Sequence, residues 1–333
     1  MPDRNTLDDR TQFEFPPLSK ALHSSFALPF LAYFACFRLV SLFVKTFMWQ
    51  SFPGFNSLWL NTCFFDSTRN NLHCGQHYAF ESLKKIVLSR GYRLQNLTVC
   101  FLHSVISGVW TTVFFIFYPQ EMFDNVIHWY EPWAAQLPII SIAYFVHDAI
   151  DMLHHEWTRW TMELIIHHIA TCFALLVGVI SGKFLLADYW ALLMEGNSIF
   201  LHTRTIMQIS ELSLVHPKVF AFVVNCNVAS FILYRFISQA LWVRWAVSHI
   251  NQMHPLYVCV ALGGPVVFLV INMMLFFRVL VSDGFLDKRW RSKAAINRYA
   301  LITTNITKAR KRPLLLLNEI DGLMHNLVTL TAG

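Results

Sequence analysis

The sequence predicts an all-α polytopic membrane protein with about seven transmembrane helices, and its composition and hydropathy pattern lead to this class. The 333-residue chain is 55% hydrophobic and 14% charged, whereas a typical soluble domain is about 25% charged. A spanning helix needs about 20 mostly apolar residues. The stretches that qualify lie near 25–48, 95–118, 137–154, 164–182, 185–207, 219–243 and 256–281.

The charges between these stretches predict their orientation. Basic residues cluster between the first and second stretches and again after the seventh, whereas the segment between the second and third has no lysine or arginine. The positive-inside rule therefore predicts a cytosolic C-terminus and an N-terminus outside the cell or in the lumen. The net charge of +6 is attributed to this topology and to anionic lipid head groups, so no nucleic-acid partner is expected.

The same pattern divides the chain into consecutive regions. We expect a main domain of six helices, preceded by a single helix and followed by a basic cytosolic tail. The predicted regions are an N-terminal tail over 1–24, the first transmembrane helix over 25–48, a connector loop over 49–88, the six-helix domain over 89–285 and the tail over 286–333.

The third stretch carries two carboxylates, Asp148 and Asp151. A charge at the centre of a spanning helix costs roughly 2.5–3.5 kcal/mol, and such residues usually face a bundle interior. Their i, i+3 spacing places both side chains on one face. They could serve as a general base pair, a metal site or a proton relay. Alternatively, they bond to polar groups of neighbouring helices and fix the packing.

The fourth stretch opens with His167 and His168. Adjacent positions differ by about 100° around a helix, so one ring is expected to face the cavity and the other a neighbour or the interface. Thr171 lies within reach of either ring. A neutral imidazole could accept a proton from an attacking group or act as a nucleophile towards an acyl thioester. Alternatively, the pair is an interfacial feature.

The fifth stretch adds a further polar face. Glu195, Ser198 and His202 fall at i, i+3 and i+7, and Asn197 and Arg204 form an adjoining stripe. Arg204 lies near the expected cytosolic end, where snorkelling to the interface is typical. Arg235 and Asn272, from the sixth and seventh stretches, could line the same cavity or make interhelical bonds. The polar residues predicted to line a lipid cavity are His103, Thr171, Glu195, Asn197, Ser198, His202 and Arg204.

No metal or cofactor is expected. Membrane di-iron oxygenases use repeated histidine boxes, but the histidines between 147 and 168 contain neither His-x-x-His nor His-x-x-x-His. The chain also has no phosphate loop and no dinucleotide fingerprint. Acyl-CoA would enter as a substrate only if the protein were an acyltransferase.

Four motifs resemble the TLC-domain family of polytopic membrane proteins over roughly 89–285. They are CFLHSVISG with His103, YFVHDAIDM with Asp148 and Asp151, LIIHHIAT with the histidine pair, and LLMEGNSIFLHTRTIM from Leu192 to Met207. The last motif looks most like the small subgroup that regulates membrane fluidity. This resemblance implies six helices around a lipid-sized cavity and an outlying first helix. It also implies a role in limiting polyunsaturated acyl chains in phospholipids, with the plasma membrane favoured over the endoplasmic reticulum.

The chain departs from the ceramide synthases of the same family. Those enzymes resemble it at the double histidine, but they carry His-Asp-x-x-Asp on the following helix, where this chain has Glu195. Three hypotheses follow. The first is a regulator of phospholipid acyl composition, the second an acyltransferase that uses His167 or His168, and the third a lipid transporter or scramblase. The expected partners are membrane phospholipids or acyl chains, and the oligomeric state is not predicted.

Overall fold

The computed structural model describes residues 18–48, 74–155, 159–210 and 212–285. Within these ranges every regular element is a helix, and five helices are long and apolar enough to cross a membrane. The predicted class, an all-α polytopic membrane protein, is therefore confirmed. The N-terminal tail as far as residue 17, the connector over 49–73 and the basic tail over 286–333 lie outside the described residues.

The helices are numbered here in chain order. They are α1 Ser24–Phe43, α2 Cys74–Phe117, α3 Pro119–Asp124, α4 Gln136–His155, α5 Arg159–Ser181, α6 Leu185–Leu192, α7 Glu195–Ile209, α8 Leu212–Val215, α9 Pro217–Phe231, α10 Ser238–Ser248 and α11 Pro255–Asp283. A π turn over Val44–Met48 extends α1, and a second π turn over Ile232–Ile237 joins α9 to α10.

Proline and glycine mark several of these boundaries. Pro119, Pro217 and Pro255 each occupy the first turn of a helix, where a missing N–H leaves no hydrogen bond unmade. Gly284 ends α11 with a φ of 82°, a left-handed conformation that glycine adopts without steric cost.

The fifth predicted stretch, 185–207, is not one continuous helix. The backbone N–H groups of Gly196 and Asn197 donate to the carbonyls of Leu193 and Met194 at 3.1 and 3.2 Å. These i to i+3 bonds form a tight 3₁₀-type turn that separates α6 from α7. A break of this kind is tolerated inside a membrane where surrounding protein covers it.

Helix α2 begins well before the predicted second stretch. It starts at Cys74 and has 44 residues, so at 1.5 Å per residue it is about 66 Å long. The hydrocarbon core is only about 30 Å thick. The first part of α2 therefore extends beyond the hydrocarbon and does not need to be apolar. It includes residues 74–88, which the sequence predicts to be a connector loop but which are helical.

Helix α1 is not outlying, contrary to the expectation from the family resemblance. It packs along α4. The Tyr33 hydroxyl donates to Oε1 of Gln136 at 3.1 Å, and the rings of Phe37 and Tyr144 lie 5.5 Å apart. The reason is that α1 carries aromatic side chains at helical spacing, which give it a face that fits α4.

The bundle is closed at the end near α3 by aromatic donors. The indole N–H of Trp190 donates to the carbonyl of Met122 at 3.0 Å, and that of Trp245 donates to the carbonyl of Phe123 at 2.6 Å. These carbonyls lie in the last turn of a short helix, where no backbone N–H of the same helix is available to them. The two indole bonds satisfy them instead. They fix α3 against α6 and α10.

Helices α2 and α7 approach each other closely at two glycines. A Cβ atom placed on Gly108 would lie 2.8 Å from the backbone nitrogen of Gly196. A Cβ atom on Gly196 would lie 2.7 Å from the Tyr234 ring in the second π turn. Gly196 therefore lets three spans meet at one level.

Helix α11 buries few side chains completely, since Asn272 and Val279 are its buried residues in the described structure. Partly buried apolar contacts, such as that of Phe276 with Phe231 at 4.9 Å, and several polar bonds attach it to the bundle.

Pro265 has no N–H, so the carbonyl of Ala261 lacks its helical partner. The indole N–H of Trp242 donates to that carbonyl at 3.0 Å instead. The Gln239 side chain donates to the carbonyl of Pro265. Helix α10 thus supplies the bonds that the proline removes.

A buried ion pair holds the other end of α11. Nε of Arg204 donates to both oxygens of Asp283 at 2.7 and 2.9 Å, and Nη2 donates to Ser282 at 2.6 Å. The side chains of Arg204 and Asp283 are 8% and 1% exposed. The expected snorkelling position of Arg204 is therefore wrong, because a carboxylate on the neighbouring helix binds the guanidinium inside the protein.

The substitution Gly108→Ala should prevent α2 and α7 from packing at their present distance, because the new methyl group would meet backbone atoms that cannot rotate away. We expect a large fall in the thermal midpoint of the purified protein, measured by fluorescence-detected size-exclusion chromatography. The control is Gly263→Ala, since no described atom lies within 4 Å of a Cβ atom there. Equal midpoints for the two variants would contradict this packing.

The substitution Arg204→Met should leave the Asp283 carboxylate buried without a cation. Removing one partner of a buried pair costs roughly 3–5 kcal/mol, whereas replacing both partners by apolar residues is often neutral. We therefore expect the thermal midpoint to fall in the single variant and to recover largely in the double variant Arg204→Met with Asp283→Met. An unchanged single variant would show that the ion pair does not hold α11.

Candidate functional site

A polar stripe on α2 organises the interior of the bundle. Nδ2 of Asn96 donates to Oδ1 of Asp148 at 2.5 Å, and the Cys100 thiol donates to the Asn96 side-chain oxygen at 3.3 Å. One turn further, the Ser104 hydroxyl donates to Oε2 of Glu195 at 2.6 Å. Because these α2 residues recur every four positions, one face of the helix reaches both α4 and α7.

Asp148 and His168 form a buried acid–base pair. Nε2 of His168 lies 2.8 Å from Oδ2 of Asp148, and the two side chains are 8% and 7% exposed. We assign the ring proton to Nε2, because the carboxylate accepts hydrogen bonds at both oxygens. Nδ1 is buried and has no hydrogen-bond partner in the described part of the chain. Its free lone pair could accept a proton from a substrate, with Asp148 stabilising the resulting imidazolium.

His167 points away from this pair, as the angle between adjacent helical positions requires. Its ring is partly exposed and lies 6.0 Å from the Phe268 ring of α11. Both histidines lie more than two turns inside α5, which begins at Arg159, and so not at the start of the span. The Thr171 hydroxyl donates to the backbone carbonyl of His167 at 2.9 Å, so neither ring receives it.

Asp151 shares a face with Asp148 but not its partners. Its Oδ1 lies 3.8 Å from Nδ1 of His155, a side chain that is 40% exposed. The His155 ring stacks on Tyr92 at 4.2 Å. The structure therefore places Asp151 at the end of α4, one turn away from the acid–base pair.

Arg235 is the centre of a second polar network, deep in the bundle. Its Nε donates to Oδ1 of Asn197 at 2.7 Å, its Nη2 to the Ser198 hydroxyl at 3.1 Å and its Nη1 to Oδ1 of Asn272 at 2.9 Å. Asn197 in turn donates to the side-chain oxygen of Asn227 at 3.1 Å. The network joins α7, the second π turn, α9 and α11.

The backbone is irregular on both sides of this network. The 3₁₀-type turn before α7 and the π turn over Ile232–Ile237 contact each other where Gly196 meets Tyr234. Such interruptions inside helices often occur at functional sites. Here they bring the side chains of Glu195, Asn197 and Arg235 to the same level of the bundle.

The remaining predicted residues have separate places. His103 is fully buried, with Nε2 3.1 Å from the Ser141 hydroxyl and its ring stacked on Tyr144 at 3.9 Å. It therefore lies in the interface between α2 and α4. His202 is partly exposed, two turns beyond Glu195 on α7, and forms no hydrogen bond with any described side chain.

Four ionisable side chains define what we call the inner polar group. Glu195 lies within electrostatic range of the other three members. All four keep part of their surface accessible although they lie between helices. The inner polar group consists of His167, Glu195, His202 and Arg235.

An apolar groove of about 920 Å³ lies on the outer side of α2, away from these groups. It is lined by residues from Val105 to Tyr118 together with Trp133. Among the residues that the structure describes, no group of three or more His, Cys, Asp or Glu side chains is arranged to hold a metal ion.

Sequence reasoning missed Asn96 as a site residue, although it binds one oxygen of Asp148. The available signal was the four-residue spacing of Asn96, Cys100 and Ser104 within an apolar helix. It also missed Asp283, the partner of Arg204. Asp283 has no sequence signal of its own, because a charged residue at the end of a spanning helix is common.

A family model and several known proteins match this chain. The family model of the TLC domain matches residues 93–281. TLC domain-containing protein 2 of Danio rerio is 29% identical over 197 residues, which cover 58% of this chain and 77% of that protein. TLC domain-containing protein 1 of Gallus gallus is 27% identical over 204 residues, which cover 59% and 76%. TLC domain-containing protein 2 of Mus musculus is 30% identical over 213 residues, which cover 63% and 67%.

No solved structure matches the chain. The family model nevertheless covers more than half of the sequence, including every helix that contributes to the acid–base pair and the inner polar group. This chain therefore belongs to the TLC-domain family of multi-pass integral membrane proteins, which indicates a role related to membrane lipids.

Proposed function

We propose that this protein adjusts the acyl composition of membrane phospholipids, limits the incorporation of polyunsaturated chains and thereby regulates membrane fluidity. The observation that carries the proposal is the partly accessible polar interior of a membrane-embedded bundle. A polar site in the middle of spanning helices lies at the level of the acyl chains of the surrounding lipids and not at the level of their head groups. The motif between Glu195 and Met207, which resembles the fluidity-regulating subgroup, supports the same function.

The regulator has two features on which lipid selection could depend. The acid–base pair of Asp148 and His168 is held rigidly by Asn96. The inner polar group lies beside Ser104 and the second π turn. Because ionisable groups inside a membrane normally mark a substrate path or a reaction centre, their clustering favours direct contact with lipid over a purely structural role. We place the protein in the plasma membrane as part of this proposal.

Acyl transfer is the second candidate, and the His168–Asp148 distance of 2.8 Å favours it. In this scheme Nδ1 of His168 takes the proton of an acceptor hydroxyl or amine. The acceptor forms a bond to the carbonyl carbon of an acyl-CoA thioester, the carbon–sulfur bond breaks, and the proton passes to the leaving thiolate. Asp148 stabilises the transient imidazolium. Lipid transport through the same polar interior is the third candidate.

The decisive experiment follows isotope-labelled fatty acids into phospholipids and ceramides in cells with and without the protein. We expect labelled polyunsaturated chains in phospholipids to be lower when the wild-type protein is present. If the acid–base pair does chemistry, His168→Gln and Asp148→Asn should remove this effect at equal expression, since loss of a general base lowers rates by roughly 10²–10⁴-fold. The matched control is His154→Gln, because His154 is exposed on the same helix as Asp148.

The alternatives give different results. Unchanged phospholipid and ceramide profiles would refute both regulation and acyl transfer. A change confined to ceramides would establish the acyltransferase of ceramide-synthase type. An effect that survives both substitutions would exclude chemistry at His168 and leave a regulator without catalysis. Lipid movement in vesicles of purified protein, without any change in acyl chains, would indicate transport.

A further inference from the structure

Arg235 has hydrogen-bonding capacity that the protein does not use. A guanidinium has five N–H donors, and three of them are bonded to Asn197, Ser198 and Asn272. All three acceptors are neutral. Among the described residues no carboxylate lies within salt-bridge distance of Arg235. Two N–H groups therefore remain for a ligand.

The surroundings of Arg235 favour an anionic ligand. Arg235 belongs to the candidate membrane span from Pro217 to Ser248 and lies near the middle of that span. A cation without a partner is unstable at the centre of a bilayer. Glu195 lies within electrostatic range, but its carboxylate accepts its hydrogen bond from Ser104 on α2. The guanidinium is thus held by neutral hydrogen-bond acceptors and by the Phe231 ring, whose centroid lies 5.1 Å from Cζ. Its remaining donors match the oxygens of a carboxylate or a phosphate.

Arg235 lies close to both α5 and α11, because its Nη1 donates to Asn272 and it is within electrostatic range of His167. These helices share few backbone contacts, and the described ring contact across the seam joins His167 to Phe268 at 6.0 Å. A Cβ atom on Gly263 or Gly264 of α11 would have no described atom within 4 Å. A single acyl chain could lie in this seam while its charged end reaches the inner polar group.

We propose that Arg235 binds the oxyanion of a single-chain anionic lipid, a carboxylate or a phosphate monoester, which enters between α5 and α11. This proposal rests on the proposed function and names the lipid class that the inner polar group receives. Asn197, Ser198 and Asn272 are positioning residues, because they fix the guanidinium plane. The partly exposed rings of His167 and His202 border the same space and can donate further N–H groups to the oxyanion.

The test uses the purified full-length chain in a neutral detergent and three radiolabelled probes with the same oleoyl chain. The probes are oleate, oleoyl lysophosphatidate and the uncharged monooleoylglycerol. We expect saturable binding of an anionic probe and none of the uncharged one. The stronger of the two anionic probes identifies the oxyanion as carboxylate or phosphate. Arg235→Gln should weaken binding at least about tenfold, the usual effect of losing hydrogen bonds to a charged group.

The matched control is Arg244→Gln, an exposed arginine on α10, which should bind like the wild type. Arg235→Lys keeps the charge without the planar fork, so it provides a folded comparison if the glutamine variant is unstable, and it should also bind more weakly. Equal binding of all three probes, or unchanged binding by both Arg235 variants, would overturn the proposal.

Failure of this site and failure of the proposed function can be separated. Anion binding that depends on Arg235, with unchanged cellular lipid profiles, would retain the site and refute the function. Altered lipid profiles that persist in Arg235→Lys cells, with no anion binding in vitro, would retain the function and refute the site.

Discussion

The close approach of α2 and α7 at Gly108 and Gly196 is the contact on which the rest of the bundle depends. Hydrocarbon offers polar groups no partner, so each of them must find one inside the protein. The glycine contact brings Ser104 within 2.6 Å of Glu195. On its other side Gly196 meets Tyr234, so the same residue also sets the distance between α7 and the second π turn. A larger side chain here would separate three spans and their polar side chains together.

The two polar sites differ in what holds them. Asp148 and His168 are tightly enclosed, because Asn96 and the packing of α4 on α5 leave them little exposed surface. The inner polar group is more open, since α11 buries few side chains completely and is attached in part by bonds to Arg235, Arg204 and side chains of α10. The proposed entry of lipid between α5 and α11 follows from this difference.

Much of the candidate site was visible in the sequence, because ionisable residues in apolar stretches are rare. Asp148, His168 and Glu195 were found in this way, and the structure gives each of them a specific partner. The grouping was less predictable. The i, i+3 spacing joined Asp151 to Asp148, yet a rise of one turn moved Asp151 to the partly exposed end of α4 beside His155. Helical spacing predicts on which face of the helix a side chain lies, but it does not predict which residues of the neighbouring helices that side chain contacts.

The sequence by itself determined the class of protein, the position of most spans and the residue types of the polar interior. Hydrophobic length and the rarity of charge are properties of single segments, so they need no knowledge of neighbours. Only the tertiary structure decided that the fifth span is broken where Gly196 meets Gly108 and Tyr234, that α1 packs on α4 and that Arg204 binds Asp283. Each of these depends on a contact between helices distant in the chain, and the energy of such a contact belongs to the pair and is absent from either segment alone.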